Sequence, residues 1–320
     1  MSLVEKAIEK MRANDLLRRE TPPQPTPVIA KVVNAPAPAH ALLRRNNKPE
    51  LPPFNPNRLV KVDRDGLKAS GLVPPEDQER ELMDQYRAVK RPLIRAAFHE
   101  EHPEGVSPQV VMIASALPGD GKTFTCINLA LSMAREKDHS VLLVDGDVIK
   151  PQVSKLFGVK QEPGLLDALA NPDLDLRSLI LPTDIPGLTF LPAGTQADNA
   201  TELLASARMR EVVTQLAAMD PSRVVLFDTL PILLTSEARV LATLAGQIVL
   251  VVKAGVTPQH AVADALTAIG ENKSVSLVLN QAELTGPIGY YYGYRYGYEK
   301  HDDAPGGKAP ARDEPETNGV

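Results

Sequence analysis

Cysteine is nearly missing from this chain. Cys126 stands alone among 320 residues, which excludes an internal disulfide framework and fits a reducing cytosol. Long apolar runs are missing as well. No stretch of 18 apolar residues occurs, so the sequence predicts no membrane-spanning helix, and the opening MSLVEKAIEK lacks the apolar stretch of a secretory signal. The six histidines are scattered without metal-ligand spacing. Positive charge is not in excess: the formal net charge is −5, so no field of the kind that holds nucleic acid surrounds the whole molecule, and no nucleic-acid partner is expected. The hydrophobic content of 43% allows an ordinary core in one or two domains.

The chain divides by composition. Residues 1–20 read as a short amphipathic helix, with Ser2 and Glu5 as a capping box and Leu3, Val4, Ala7, Ile8 and Met11 on one face. Such a helix is either a loosely packed terminus or a docking element for a partner or membrane surface. Residues 21–74 form a proline-rich linker, with ten prolines between 22 and 56. The core is expected to begin near Pro75, with a helix over Glu76–His99. After it, strands expected at 110–115, 141–145, 188–191, 223–228, 247–253 and 275–280 alternate with helical patterns over 122–135, 201–219 and 258–270. Most of the strands are near-continuous aliphatic runs, as in a parallel sheet covered on both faces. The expected fold class is therefore α/β, a doubly wound, mostly parallel sheet over residues 75–285. Ligands of such sheets sit beyond the C-terminal strand ends.

Three strand ends carry chemistry. The strand Val110–Ser115 feeds Ala116-Leu-Pro-Gly-Asp-Gly-Lys-Thr123 and then a helix. Gly119 and Gly121 permit a tight loop whose N–H groups can face phosphate oxygens, and the helix N-terminus adds its dipole. Pro118, Gly119, Asp120, Gly121, Lys122, Thr123 and Phe124 are the candidate nucleotide contacts. Lys122 is expected to reach the β- and γ-phosphates, and the Thr123 hydroxyl is expected to bind Mg²⁺. Asp145 and Asp147 end a second strand and Asp228 ends another, where a Mg²⁺ shell needs carboxylates. The bland alternative, that each Asp merely caps a following helix, fits one site more easily than three. Asn280 ends the last core strand as either a cap or a base contact.

Six of the seven tyrosines crowd into one segment: Tyr290, Tyr291, Tyr292, Tyr294, Tyr296 and Tyr298. Gly286, Gly289, Gly293 and Gly297 favour mobility in this tail. Residues 299–320 turn polar and Pro/Gly-rich, and disorder is expected there.

Together these motifs resemble the bacterial tyrosine kinase family, whose members regulate capsule and exopolysaccharide export. The matching parts are the Walker A core Pro118–Lys122, the Asp-x-Asp pair Asp145 and Asp147, the Walker B Asp228 with Pro231, and the tyrosine cluster 286–298. The resemblance implies a P-loop NTPase-like fold with deviant Walker motifs, using ATP and Mg²⁺ for autophosphorylation of the tail. It implies Asp145 as the base that takes the phenol proton, Asp147 and Asp228 with Thr123 around the metal, and adenine contact by Asn280; spacing alone does not separate base from ligand. It further implies a homo-oligomeric ring through Asp84, Arg87 and Lys90, with transfer between subunits. Partners implied are a transmembrane polysaccharide co-polymerase or chain-length protein as activator and a protein-tyrosine phosphatase. The implied location is cytoplasmic, peripheral to the inner membrane. Ile149 stands where relatives often carry Arg, and Lys90 is a poorer fork than Arg. Both the Ile149 variant and the proline linker are similar to autokinases of exosortase-type polysaccharide systems.

Two rival readings carry other expectations. A deviant-Walker ATPase acting as a nucleotide switch would carry a signature lysine five residues before Lys122, where this chain has Leu117. A binding module stacking bases or sugars on Tyr292–Tyr298 would use Arg295 among the aromatics, against the acidic overall balance.

Overall fold

The computed structural model describes residues 58–100, 107–271 and 273–282. The expected N-terminal helix, most of the proline-rich segment, the tyrosine cluster and the polar C-terminal segment lie outside these residues.

Seven strands form one sheet: β1 (Val110–Ser115), β2 (Ser140–Asp145), β3 (Leu181–Pro182), β4 (Leu188–Leu191), β5 (Arg223–Asp228), β6 (Gln247–Lys253) and β7 (Ser274–Asn280). Their order is β3-β4-β2-β5-β1-β6-β7, and every neighbouring pair is parallel except β3 with β4. The three strands that carry the phosphate loop and the acidic ends therefore lie side by side, with β5 between β1 and β2.

Alternation along the strands splits the core into two layers. Val110, Met112 and Ala114 of β1 join one cluster, whereas Val111 and Ile113 join the other. The first cluster is closed by α5 (Leu165–Ala170), α6 (Leu176–Leu179), α7 (Ala200–Leu204), α8 (Ala207–Ala218), α9 (Ser236–Leu244) and α10 (Gln259–Ile269). The second is closed by α1 (Arg64–Ala69), α2 (Glu76–Phe98), α3 (Lys122–Met133) and α4 (Gln152–Leu156). Burial on both sides explains why the central strands read as unbroken aliphatic runs. The edge strand β7 leaves Leu277 and Leu279 exposed, because helices cover it less. Among the described residues no helix is long and apolar enough to cross a membrane.

Three expectations are corrected. The ordered unit does not begin at Pro75: Val60 bridges to Thr183, α1 follows, and Val60, Val62, Leu67, Leu72 and Val73 are buried in the second cluster. The Asn128 amide ties this segment down by donating to the Leu72 carbonyl at 2.7 Å. The helical pattern 201–219 is two helices, because Ser206 takes an extended conformation and its hydroxyl folds back onto the Leu203 carbonyl. The short antiparallel β3 was not expected; its Pro182 is tolerated because the strand lies at the sheet edge.

Candidate active site

The phosphate loop links β1 to α3 through two glycines in the left-handed region, Gly119 at φ 83° and Gly121 at φ 98°. Gly121 has a second reason to lack a side chain, since a Cβ there would lie 1.9 Å from the Asn280 amide nitrogen. Asp120 is buried, and both carboxylate oxygens are spent inside the protein. One accepts from the Leu117 N–H at 3.0 Å and the other from the Thr257 hydroxyl at 2.8 Å. Asp120, expected among the nucleotide contacts, thus shapes the loop with its side chain. Lys122 opens α3 and is partly buried. Burial lowers its pKa, opposed by the carboxylates of Asp228, Asp147 and Asp120.

The two acidic strand ends meet across β2 and β5, where Asp145 and Asp228 are register partners. The Thr123 hydroxyl donates to Asp228 Oδ2 at 2.8 Å, joining the phosphate loop to the end of β5. Asp145 Oδ2 accepts both the N–H and the hydroxyl of Ser154, each at 2.7 Å. The remaining oxygen of each acid, Asp145 Oδ1 and Asp228 Oδ1, is buried without a hydrogen-bond partner. Burial pushes the Asp145 carboxyl up to about 7, helped by the charge of Asp228 and opposed by the Ser154 hydrogen bonds. Burial likewise raises Asp228 to about 7, against the Thr123 hydrogen bond and the Lys122 charge. Asp147 is less enclosed. Its carboxylate accepts from the Lys150 N–H at 2.9 Å, and burial raises its pKa against that bond and the charge of Lys122.

Two orphaned carboxylate oxygens beside a lysine and a threonine hydroxyl suit a cation that arrives with an anionic ligand. Among the described residues no three His, Cys, Asp or Glu side chains converge into a ready-made metal cage. Mg²⁺ takes a few protein oxygens and draws its other ligands from phosphates and water.

The remaining expected residues divide. Pro118 and Gly119 are exposed at the loop tip, and Phe124 packs partly against the second core cluster. The Asn280 amide donates to the Asp120 carbonyl at 2.9 Å, so it touches the loop. Asp84 and Arg87 form an exposed i,i+3 pair at 2.9 Å. Lys90 does not join them at the surface, which corrects its expected place in an oligomer interface. It lies on the buried stripe Tyr86, Lys90, Leu93 and Ala97, and its ammonium binds the Ser132 carbonyl at 2.8 Å and Glu136 at 2.6 Å. The six tail tyrosines lie outside the described residues. Ser154 and Thr257 were missed, since neither belongs to a motif; Ser154 sits in the helix that follows Asp145, and Thr257 reaches Asp120 from beyond β6.

No protein-family model matches the chain. It is 33% identical over 214 residues to the tyrosine-protein kinase YwqD of Bacillus subtilis (strain 168), covering 66% of this chain and 86% of that protein. It is 32% identical over 197 residues to the tyrosine-protein kinase wzc of Salmonella typhimurium, covering 61% of this chain and only 27% of that longer protein. Among solved structures, the fold resembles the kinase domain of the Escherichia coli tyrosine kinase ETK, with TM-score 0.54 and 28% identity over 63% of this chain and 77% of that one. The VpsO kinase domain gives TM-score 0.53 and 28% identity, over 65% of this chain and all of its own.

Proposed function

The chain belongs to the bacterial tyrosine-protein kinases, and from that premise we propose that it moves the γ-phosphoryl group of ATP onto tyrosines of its own C-terminal cluster. The observation that carries the reading is the convergence of Lys122, Thr123, Asp145 and Asp228 at three adjacent strand ends, in a chain that also holds Tyr290–Tyr298.

The phosphate loop binds the triphosphate, with Lys122 set against charge on the γ-phosphate. Thr123, Asp228 and Asp147 would hold Mg²⁺, which would neutralise the phosphates and make the γ-phosphorus more electrophilic. Asp145 is the base. Its Oδ2 is fixed by Ser154, which leaves Oδ1 to accept the phenol proton. As the phenolic oxygen bonds to the γ-phosphorus, the bond to the β,γ-bridging oxygen breaks, ADP leaves with that electron pair, and the proton passes to Asp145. In the metal-free site burial raises the proton affinity of this carboxylate above that of an ordinary one.

Transfer runs between subunits of a ring, and accumulated phosphotyrosine charge, about −1.5 to −2 each, drives the tail out and loosens the assembly. A phosphatase resets the cycle. In this reading the kinase governs exopolysaccharide export at the inner membrane through a transmembrane activator of the co-polymerase type.

Mass spectrometry of the purified chain with Mg-ATP and its membrane activator tests the proposal. Phosphate should map to the six tail tyrosines, vanish in Lys122→Met, and vanish when all six become Phe while ATP binding persists. ADP release without phosphotyrosine would replace the reading with a nucleotide switch.

A further inference from the structure

A brace of three residues from three different elements holds the phosphate loop. Asp120 lies in the loop, Thr257 follows β6 and Asn280 ends β7. The Thr257 hydroxyl donates to Asp120 Oδ1 at 2.8 Å and accepts the Lys253 N–H at 2.9 Å, so it is fixed to the end of β6. The Asn280 amide donates to the Asp120 carbonyl at 2.9 Å, and the Asn280 carbonyl accepts the Ala254 N–H at 2.9 Å. Asp120 closes the figure by accepting the Leu117 N–H at the start of the loop.

We propose that Thr257 and Asn280, acting through Asp120, are positioning residues that set the phosphate loop in its binding shape before nucleotide arrives. The inference rests on the nucleotide reading of this site. An unbraced loop with two glycines would sample many conformations and lose that freedom on binding, which weakens affinity. The brace also directs charge. A carboxylate in a phosphate-binding loop repels its ligand if it faces the ligand, but both Asp120 oxygens are turned onto donors of the protein. One N–H of the Asn280 amide is committed to the loop backbone, whatever else the side chain meets.

A probe without a base separates bracing from base recognition. Calorimetric titration with Mg-ADP and with Mg-tripolyphosphate is compared across wild type, Thr257→Val, Thr257→Ser and Asn280→Ala, with urea midpoints confirming folding. Loss of one brace bond should weaken both probes in parallel by about 5-fold, the effect of a typical net hydrogen bond. Thr257→Ser, which keeps the hydroxyl, should restore wild-type affinity for both. If Asn280→Ala weakens Mg-ADP but not tripolyphosphate, Asn280 reads the base and the proposal fails. It fails equally if Thr257→Val binds both probes like wild type, or if Thr257→Ser is as weak as Thr257→Val. The isosteric Thr257→Val decides the matter even if Asn280→Ala does not fold. A wild-type chain that binds neither probe would instead sink the nucleotide reading itself.

Discussion

Asp145 and Asp228 face each other as register partners on adjacent parallel strands, and each buries one carboxylate oxygen without a partner. Two such acids cannot both ionise cheaply unless a cation lies nearby. Below about pH 7 the free protein therefore holds protons that metal binding must expel.

Mg-nucleotide affinity is accordingly expected to rise with pH up to about 7 and then level off, with proton release on binding. Titration calorimetry in buffers of different ionisation enthalpy measures that release. Stability of the metal-free chain runs the other way. Both folded pKa values lie above the ordinary 3.8, so their stabilising contribution is complete below about pH 4 and is lost as pH rises through about 7. Asp145→Asn should flatten this decline in urea midpoints between about pH 4 and 7. An unchanged slope would mean that the acid is ionised in the free protein.

Ser154 holds Asp145 down with two hydrogen bonds and also accepts the Ala193 N–H at 3.0 Å. Ser154→Ala removes the hydroxyl bond to the acid, so the ascending limb of the pH–rate profile should move to higher pH. The stranded Ala193 N–H should cost about 1–3 kcal/mol of stability. Stopped-time assays across pH and a denaturation curve check the two effects separately.

Thr123→Val keeps the volume of the side chain and deletes the hydroxyl that meets Asp228. The Mg²⁺ concentration for half-maximal phosphorylation should rise by about 10–100-fold, the range typical of damaged metal surroundings. A Mg²⁺ titration at saturating ATP reads this directly.

Lys90 acts inside the fold, between the Ser132 carbonyl and Glu136 at the end of α3. Lys90→Met should lower stability by about 1–3 kcal/mol through the unpaired acceptors it leaves. Sedimentation should show no loss of assembly at concentrations where the variant stays folded. Dissociation of a folded Lys90→Met would restore the residue to the interface.

Tyr86 is the one tyrosine outside the tail cluster, and it is 5% exposed on the inner stripe of α2. It should stay unphosphorylated in the native protein however long the reaction runs, and burial raises its phenol pKa. Peptide mapping that found phosphate there would mean that the helix opens away from the sheet during turnover.

The strands were legible because each central one is buried on both faces, which leaves an unbroken apolar signature from Val110 to Ala114 and from Ile248 to Val252. The phosphate loop and its acids were legible because their chemistry is local in sequence. Short elements were not. The two residues of β3, the five of α4 and the four of α6 are below any periodic pattern, and tertiary contacts hold them in place. The break at Ser206 depends on one hydroxyl choosing a backbone carbonyl. Lys90 was misplaced because its motif spacing was weighed above its helical phase. Its spacing from Tyr86 and Leu93 already put it on the inward face. Ser154 and Thr257 could not be found by pattern: Ser154 turns back to Asp145 through the loop into α4, and Thr257 meets Asp120 only after β6 has paired with β1.

The placement of β5 between β1 and β2 has a consequence for how such a catalyst could be rebuilt. Every atom proposed to handle phosphate hangs from the ends of three laminated ribbons in the middle of the sheet, from the turns directly above them, or from the first turn of α3. The flanking ribbons, β3 at one margin and β7 at the other, can be trimmed, recoded or spliced to foreign sequence with little disturbance of that central block, apart from the Asn280 contact at the tip of β7. Grafting experiments should therefore cut at the margins and leave the middle three strands as a single inherited piece.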